Sequence, residues 1–188
     1  EPGVGKSRML FEFKNLMSQD EFTYLEGRCL HYGGAMAYLP ILDIVRSYFE
    51  MADGDAQSVI KEKIVRKIST HERLRDTVPL LIELLSSVSE REDIRRLDPQ
   101  HKRMKTFEAL RDLLILGGKG KMVVLALEDL HWIDKTSEDF INYLIPFLQN
   151  RSILLIFLYR PEYIPKWEKM PYCSRINLSQ LDTKSCIK

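Results

Sequence analysis

Apolar residues recur along this chain with two different periods, and the change from one to the other divides it. Met9, Leu10, Phe13 and Leu16 fall three and four apart, which predicts a helix from Lys6 to Ser18. Phe22 to Leu30 is rich in aromatic and apolar residues and predicts a strand. His31 to Ala37, with its Gly-Gly pair, reads as a loop. A helix follows Leu39-Pro40 and runs to about Met51, where Ala52-Asp53-Gly54-Asp55 breaks it. Two more helices are predicted, a highly charged one over Ala56–Ser69 and a strongly apolar one over Leu74–Ser87. Ser89 to Asp98 is a charged connector. Pro99, at a first helical position, opens a helix to about Leu116, and Gly117-Gly118-Lys119-Gly120 ends it.

Beyond that turn the texture changes. Met122 to Leu127 is continuously apolar, as a strand buried on both faces must be. A helix is predicted from Thr136 to Gln149, with Asp134 or Thr136 as its N-cap. Ser152 to Tyr159 is a second buried strand, and Ser174 to Leu181 a third, weaker one. Strand, helix and strand at this spacing imply parallel βαβ units and an α/β fold.

Chemistry enters at the very start. Residues 1–7 read Glu-Pro-Gly-Val-Gly-Lys-Ser and satisfy G-x-x-x-x-G-K-[ST] from its second position onward. In such a loop the backbone N–H groups from Gly3 to Ser7 can cradle a β-phosphate. Lys6 can reach the β- and γ-phosphates, and the Ser7 hydroxyl can ligate Mg²⁺. Glycine is needed where a side chain would resist positive φ or hold the backbone away from the phosphates. The following helix adds the partial positive charge of its N-terminus.

The strand Met122–Leu127 then ends in Glu128-Asp129. Adjacent acids at the carboxyl end of an apolar parallel strand form a Walker B arrangement, in which one carboxylate holds Mg²⁺ and its neighbour orients the attacking water. Alone such a strand end is a weak signal; joined to the phosphate loop in this order it is a strong one. Arg160 directly follows the next apolar strand, so its cation would face the phosphates from the same sheet edge. Packing is the simpler reading for His131 and Trp132, and a helix-surface place the simpler one for Arg8. His31, His71 and His101 are scattered without companion ligands.

The run Leu127-Glu128-Asp129-Leu130-His131-Trp132-Ile133-Asp134 resembles the Walker B segment of STAND-type signalling ATPases, relatives of the AAA+ proteins. The resemblance is nearest to the ATPase regions attached to class III adenylate/guanylate cyclases and to large bacterial regulators or kinases. Pro2 to Arg8, Gly27-Arg28-Cys29 with Tyr38-Leu39-Pro40-Ile41, and Tyr159-Arg160-Pro161-Glu162-Tyr163 share it. It covers most of the chain and is weakest from Ala52 to Asp98. It implies a P-loop NTPase three-layer sandwich with a parallel sheet, lacking its first strand, over residues 1–181. A helical insertion would occupy about 52–98, and 182–188 would begin the next segment. It also implies ATP and Mg²⁺ as cofactors. Gly3, Val4, Gly5, Lys6, Ser7 and Arg8 would line the nucleotide, with Ser7 and Glu128 on the metal. Asp129 would position water, and Arg160 would lie near the γ-phosphate. The roles of Glu128 and Asp129 are interchangeable at this level.

Composition narrows the setting. Among 188 residues the hydrophobic fraction is 45%, ordinary for one globular domain. A formal charge of +1 argues against nucleic acid or a membrane surface as partner. No apolar run approaches the ~20 residues that span a bilayer. Cys29, Cys173 and Cys186 have no paired spacing and read as reduced thiols of a cytoplasmic protein.

Three functions compete. One is an ATP-hydrolysing regulatory module of a larger signalling protein, whose partners are ATP or ADP, the flanking domains of its own chain and, through nucleotide-dependent self-association, further copies. The second is a nucleotide-binding scaffold with little turnover. The third is an origin-recognition or clamp-loader type AAA+ protein acting on DNA. No paired metal-binding aspartates of a cyclase catalytic domain are recognisable. The strand that feeds the phosphate loop in this fold is expected between the strands ending near Arg160 and near Leu181. Without it the chain alone is expected to be unstable, because the gap would leave backbone groups unpaired.

Overall fold

The sheet is built around the continuously apolar run Met122–Leu127. A computed structural model describes residues 3–17, 21–31, 37–69, 71–86, 92, 96–116 and 120–179. Met122–Glu128 (β2) forms the central strand, with Val123 to Leu127 all at most 4% exposed. It pairs in parallel with Phe22–Arg28 (β1) on one side and Ile153–Phe157 (β3) on the other, in the order β1-β2-β3. Arg28 is opposite Glu128, and Leu127 opposite Phe157, so the three carboxyl ends lie level. The strand ending in the acids therefore lies between the other two.

Side-chain alternation sends the two faces of the sheet to different cores. Leu25, Val123, Leu125 and Leu127, with Ile153, Leu155 and Phe157 of β3, belong to the main apolar cluster. Tyr24, Ala126 and Ile156 point the other way and meet Leu10 of helix Lys6–Leu16 (α1). The sheet is thus helix-covered on both faces, consistent with a P-loop NTPase fold. No described strand pairs with the second edge of β3.

The larger layer comes from Leu39–Tyr48 (α2), Gln57–Ile68 (α3), Val78–Ser86 (α4), Pro99–Leu116 (α5) and Lys135–Leu144 (α6). Phe107, Leu110, Leu113 and Leu114 recur at helical spacing on α5, and all four are buried. Each contributes about 1.5–3 kcal/mol by leaving water. Phe140, Ile141 and Leu144 of α6 close the same core. Helix α2 leans against β1, and Gly27 is where the two meet. A Cβ at Gly27 would stand 2.1 Å from the carbonyl oxygen of Pro40, so only glycine fits.

Three sequence expectations are corrected, and one left open is resolved. The helix predicted from Leu74 begins as a 3₁₀ turn over Glu72–Thr77 and becomes α-helical at Val78, because Pro79 has no N–H and sits comfortably only in a first turn. The helix predicted to Gln149 stops at Leu144 and continues as a 3₁₀ turn over Ile145–Phe147, since Pro146 cannot supply the next ladder bond. Its cap is Asp134, whose Oδ1 accepts from the Ser137 N–H at 2.9 Å; Thr136 lies inside the helix. The weak strand from Ser174 is absent over 174–179. Ile176 is 72% exposed there, and no described strand lies alongside to supply a hydrogen-bond ladder. Glu1, Pro2, Cys186, Leu181, the segment 182–188 and most of the connector from Ser89 to Asp98 lie outside the described residues.

Candidate functional site

The phosphate-loop segment adopts the backbone that its glycines predict. Gly3 has φ +79° and Gly5 φ +92°, a region that L side chains rarely enter. A Cβ at either would meet nothing within 4 Å, so conformation, not crowding by the protein, demands glycine here. Gly5 is the N-cap of α1 and has no side-chain cap; its carbonyl accepts from the Met9 N–H at 2.9 Å. The first N–H groups of α1 therefore have no intrahelical partner. Val4 and Lys6 are half-buried beside them. Arg8 turns outward, with its side chain 74% exposed and ion-paired to Glu12 one turn on.

One contact joins the loop to the acids. Ser7 Oγ donates to Glu128 Oε2 at 2.5 Å, across 121 positions of sequence. Glu128 is the last residue of β2 and half-buried, and the flat register carries it to the sheet edge above α1. A hydroxyl and a carboxylate oxygen side by side are hard oxygen donors of the kind Mg²⁺ takes, with water and phosphate completing the shell. The open, positive-φ loop fits the phosphates of a nucleotide in the same way. Among the described residues no group of three or more His, Cys, Asp or Glu side chains forms a separate metal site.

Asp129 has φ +54°, a left-handed conformation that Asp tolerates better than most residues. The bend turns the chain sharply after β2, so that the Leu130 N–H donates to the Leu158 carbonyl at 2.9 Å. The Asp129 carboxylate accepts from Arg28 Nε at 3.3 Å. Arg28 closes β1 opposite Glu128, so parallel register alone brings a guanidinium to the acids. That contact was not anticipated. An arginine ending a strand that pairs with the acidic one was the available signal, but which strands pair is not written in the sequence.

Arg160, three residues beyond β3, lies with its guanidinium carbon 5.2 Å from the ring centroid of Trp132. The same ring meets the edge of His31 at 5.3 Å and lies 4.5 Å from the ring of His131. Trp132 also packs on the main core, the role read from sequence. Its part in holding Arg160 at the sheet edge was missed. His131 has both ring nitrogens buried, with no hydrogen-bond partner among the described residues. Burial holds its pKa below the usual imidazole range; Arg160 and Lys6 push the same way, against Asp129 and Glu162. Behind the edge, Asp134 Oδ1 also accepts from the Tyr38 N–H at 3.3 Å, tying the chain before α2 to the cap of α6. Burial beside Asp134 pushes the Cys29 thiol up to about 12, so it stays protonated.

A glycine-bent loop opening α1, joined through Ser7 to an acid at the carboxyl end of a central parallel strand, is the arrangement of P-loop ATPase folds. The family model of the AAA ATPase domain matches residues 1–156, and the chain belongs to that family. It is also similar to an uncharacterized protein of Rhizobium meliloti (strain 1021), 27% identical over 187 aligned residues that cover 97% of this chain. The chain spans only 18% of that relative's length. No solved structure matches. No helix among the described residues is long and apolar enough to cross a membrane.

Proposed function

We propose that this domain binds Mg²⁺-ATP at the edge formed by Gly3 to Ser7, Glu128, Asp129 and Arg160, and hydrolyses it as a switch within a longer signalling protein. The observation that carries the reading is the 2.5 Å contact between Ser7 and Glu128, which brings the loop hydroxyl and the strand-end carboxylate to one point. Backbone N–H groups of Gly3 to Ser7 hold the β-phosphate, and Lys6 spans the β- and γ-phosphates. Ser7 and Glu128 hold the ion, which when bound neutralises charge developing on the transferred phosphoryl group. Asp129 orients water, and Arg160, released from Trp132, meets the γ-phosphate. Nucleotide state then alters the packing of flanking domains or of further copies of the chain, in the cytoplasm. The AAA ATPase family supports nucleotide use; the signalling setting rests on the resemblance of residues 127–134 and 159–163.

The Arg28–Asp129 ion pair favours a second reading, a nucleotide-held scaffold with little turnover, because an acid engaged by a guanidinium is a poorer partner for water. Paired measurements separate the two. Lys6→Ala is expected to weaken ATP by about 1.5–3 kcal/mol or more in calorimetry, through loss of a charge-assisted phosphate contact. Asp129→Asn should lower steady-state turnover far more than it lowers affinity. Unchanged affinity in the first variant sinks the nucleotide site. Negligible turnover in the wild type, with binding intact, selects the scaffold.

A further inference from the structure

His131 lies just after the acid pair, with its ring 4.5 Å from that of Trp132, which carries Arg160. Both of its ring nitrogens are buried and have no hydrogen-bond partner among the described residues. Buried polar groups in folded proteins find partners, so an orphaned imidazole calls for an explanation. Its position is fixed. Residues Leu130–Trp132 form a 3₁₀ turn directly after the acid pair, closed by Trp132 N–H to Asp129 carbonyl at 2.9 Å and Ile133 N–H to Leu130 carbonyl at 3.1 Å. The turn is bonded to the segment after β3 through Leu130 and Leu158, and its Trp132 ring lies under Arg160. The charged groups close enough to act on the imidazole are Arg160 and Glu162 from beyond β3, Asp129 from the end of β2 and Lys6 from the phosphate loop. These are the three segments assigned to the terminal phosphate.

We propose that His131 hydrogen-bonds the terminal phosphate of bound ATP, so that it distinguishes the triphosphate from the diphosphate. The proposal rests on the nucleotide site described above and adds a contact to it. Either tautomer of a neutral imidazole carries one N–H donor, which a phosphate oxygen accepts. Because both imidazole nitrogens are buried, such a bond is stronger than one made in water. ADP has no terminal phosphate, so it gains nothing from His131.

Two measurements on the full chain test this. In calorimetry with Mg²⁺-ATP and Mg²⁺-ADP, His131→Phe is expected to weaken ATP about tenfold, equivalent to ~1.4 kcal/mol, while ADP affinity stays within about twofold. His131→Gln, which keeps an N–H donor, should recover part of the ATP affinity. In the unmutated protein, the imidazole ¹⁵N resonance of His131 should shift with a non-hydrolysable ATP analogue and not with ADP. The chain has four histidines, so substituting His31, His71 and His101 in turn identifies the remaining signal. That arm needs no variant at 131 to fold. An unchanged ATP-to-ADP affinity ratio in His131→Phe, or a resonance that ignores the terminal phosphate, overturns the assignment of His131 alone. Failure of the nucleotide site as a whole shows separately, as ATP binding that survives Lys6→Ala.

Discussion

On the helical face of the sheet, Leu110, Leu113, Phe107 and Phe140 are nearly fully enclosed by other apolar side chains. At its carboxyl edge, a few residues away, Glu128, Asp129, His131 and Arg160 are half-buried: Glu128 accepts from Ser7, Asp129 from Arg28, Arg160 rests on Trp132, and His131 has no hydrogen-bond partner among the described residues. The first region is satisfied by the chain itself. The second holds a left-handed Asp129, uncapped N–H groups at α1 and an imidazole with no hydrogen-bond partner among the described residues. Strain and unsatisfied groups of this kind gather where a protein binds something, and the surrounding structure must hold them in place. Stability and chemistry are therefore separable here, residue by residue.

The largest expected effect lies on the helical face. Leu110→Ala removes a side chain at 0% exposure and should cost about 2–5 kcal/mol in urea denaturation. Nucleotide affinity of the folded fraction should be unchanged; a large change in affinity would mean that the core and the edge are coupled. Asp134→Ala, at the junction of the two regions, removes the α6 cap and the hold on the Tyr38 N–H, and about 0.5–2 kcal/mol of stability should go with it. A neutral or stabilising result would mean that burying this carboxylate costs more than its two hydrogen bonds return. Arg8→Ala is expected to do least. Its ion pair with Glu12 is solvent-exposed and contributes at most about 0.5 kcal/mol. A marked drop in ATP affinity would restore Arg8 to the nucleotide contacts implied by the family resemblance.

Much of this architecture could be read from residue order. Period and punctuation predict α1, the three strands, α2, α3 and α5, because each turns on local properties such as apolar spacing, a first-turn proline or a glycine break. The misreadings have local causes as well. Pro79 and Pro146 shift helix boundaries that apolar spacing alone does not register. Residues 174–179 have the composition of a strand, but a strand exists only beside another one.

Positive φ at Gly3 and Gly5 and the strand end Glu128-Asp129 follow from motifs that carry their own geometry, so the sequence by itself determined the phosphate loop and its acids. Tertiary structure alone decided which side chains meet them. Parallel register set Arg28 against Asp129, and the turn after β2 placed Trp132 beneath Arg160 and His131 among four charges. The approach of α2 made Gly27 a position where no Cβ fits. Backbone conformation depends on a residue and its neighbours in sequence. Contact between strands and loops depends on how separate segments pack, and no local pattern encodes that.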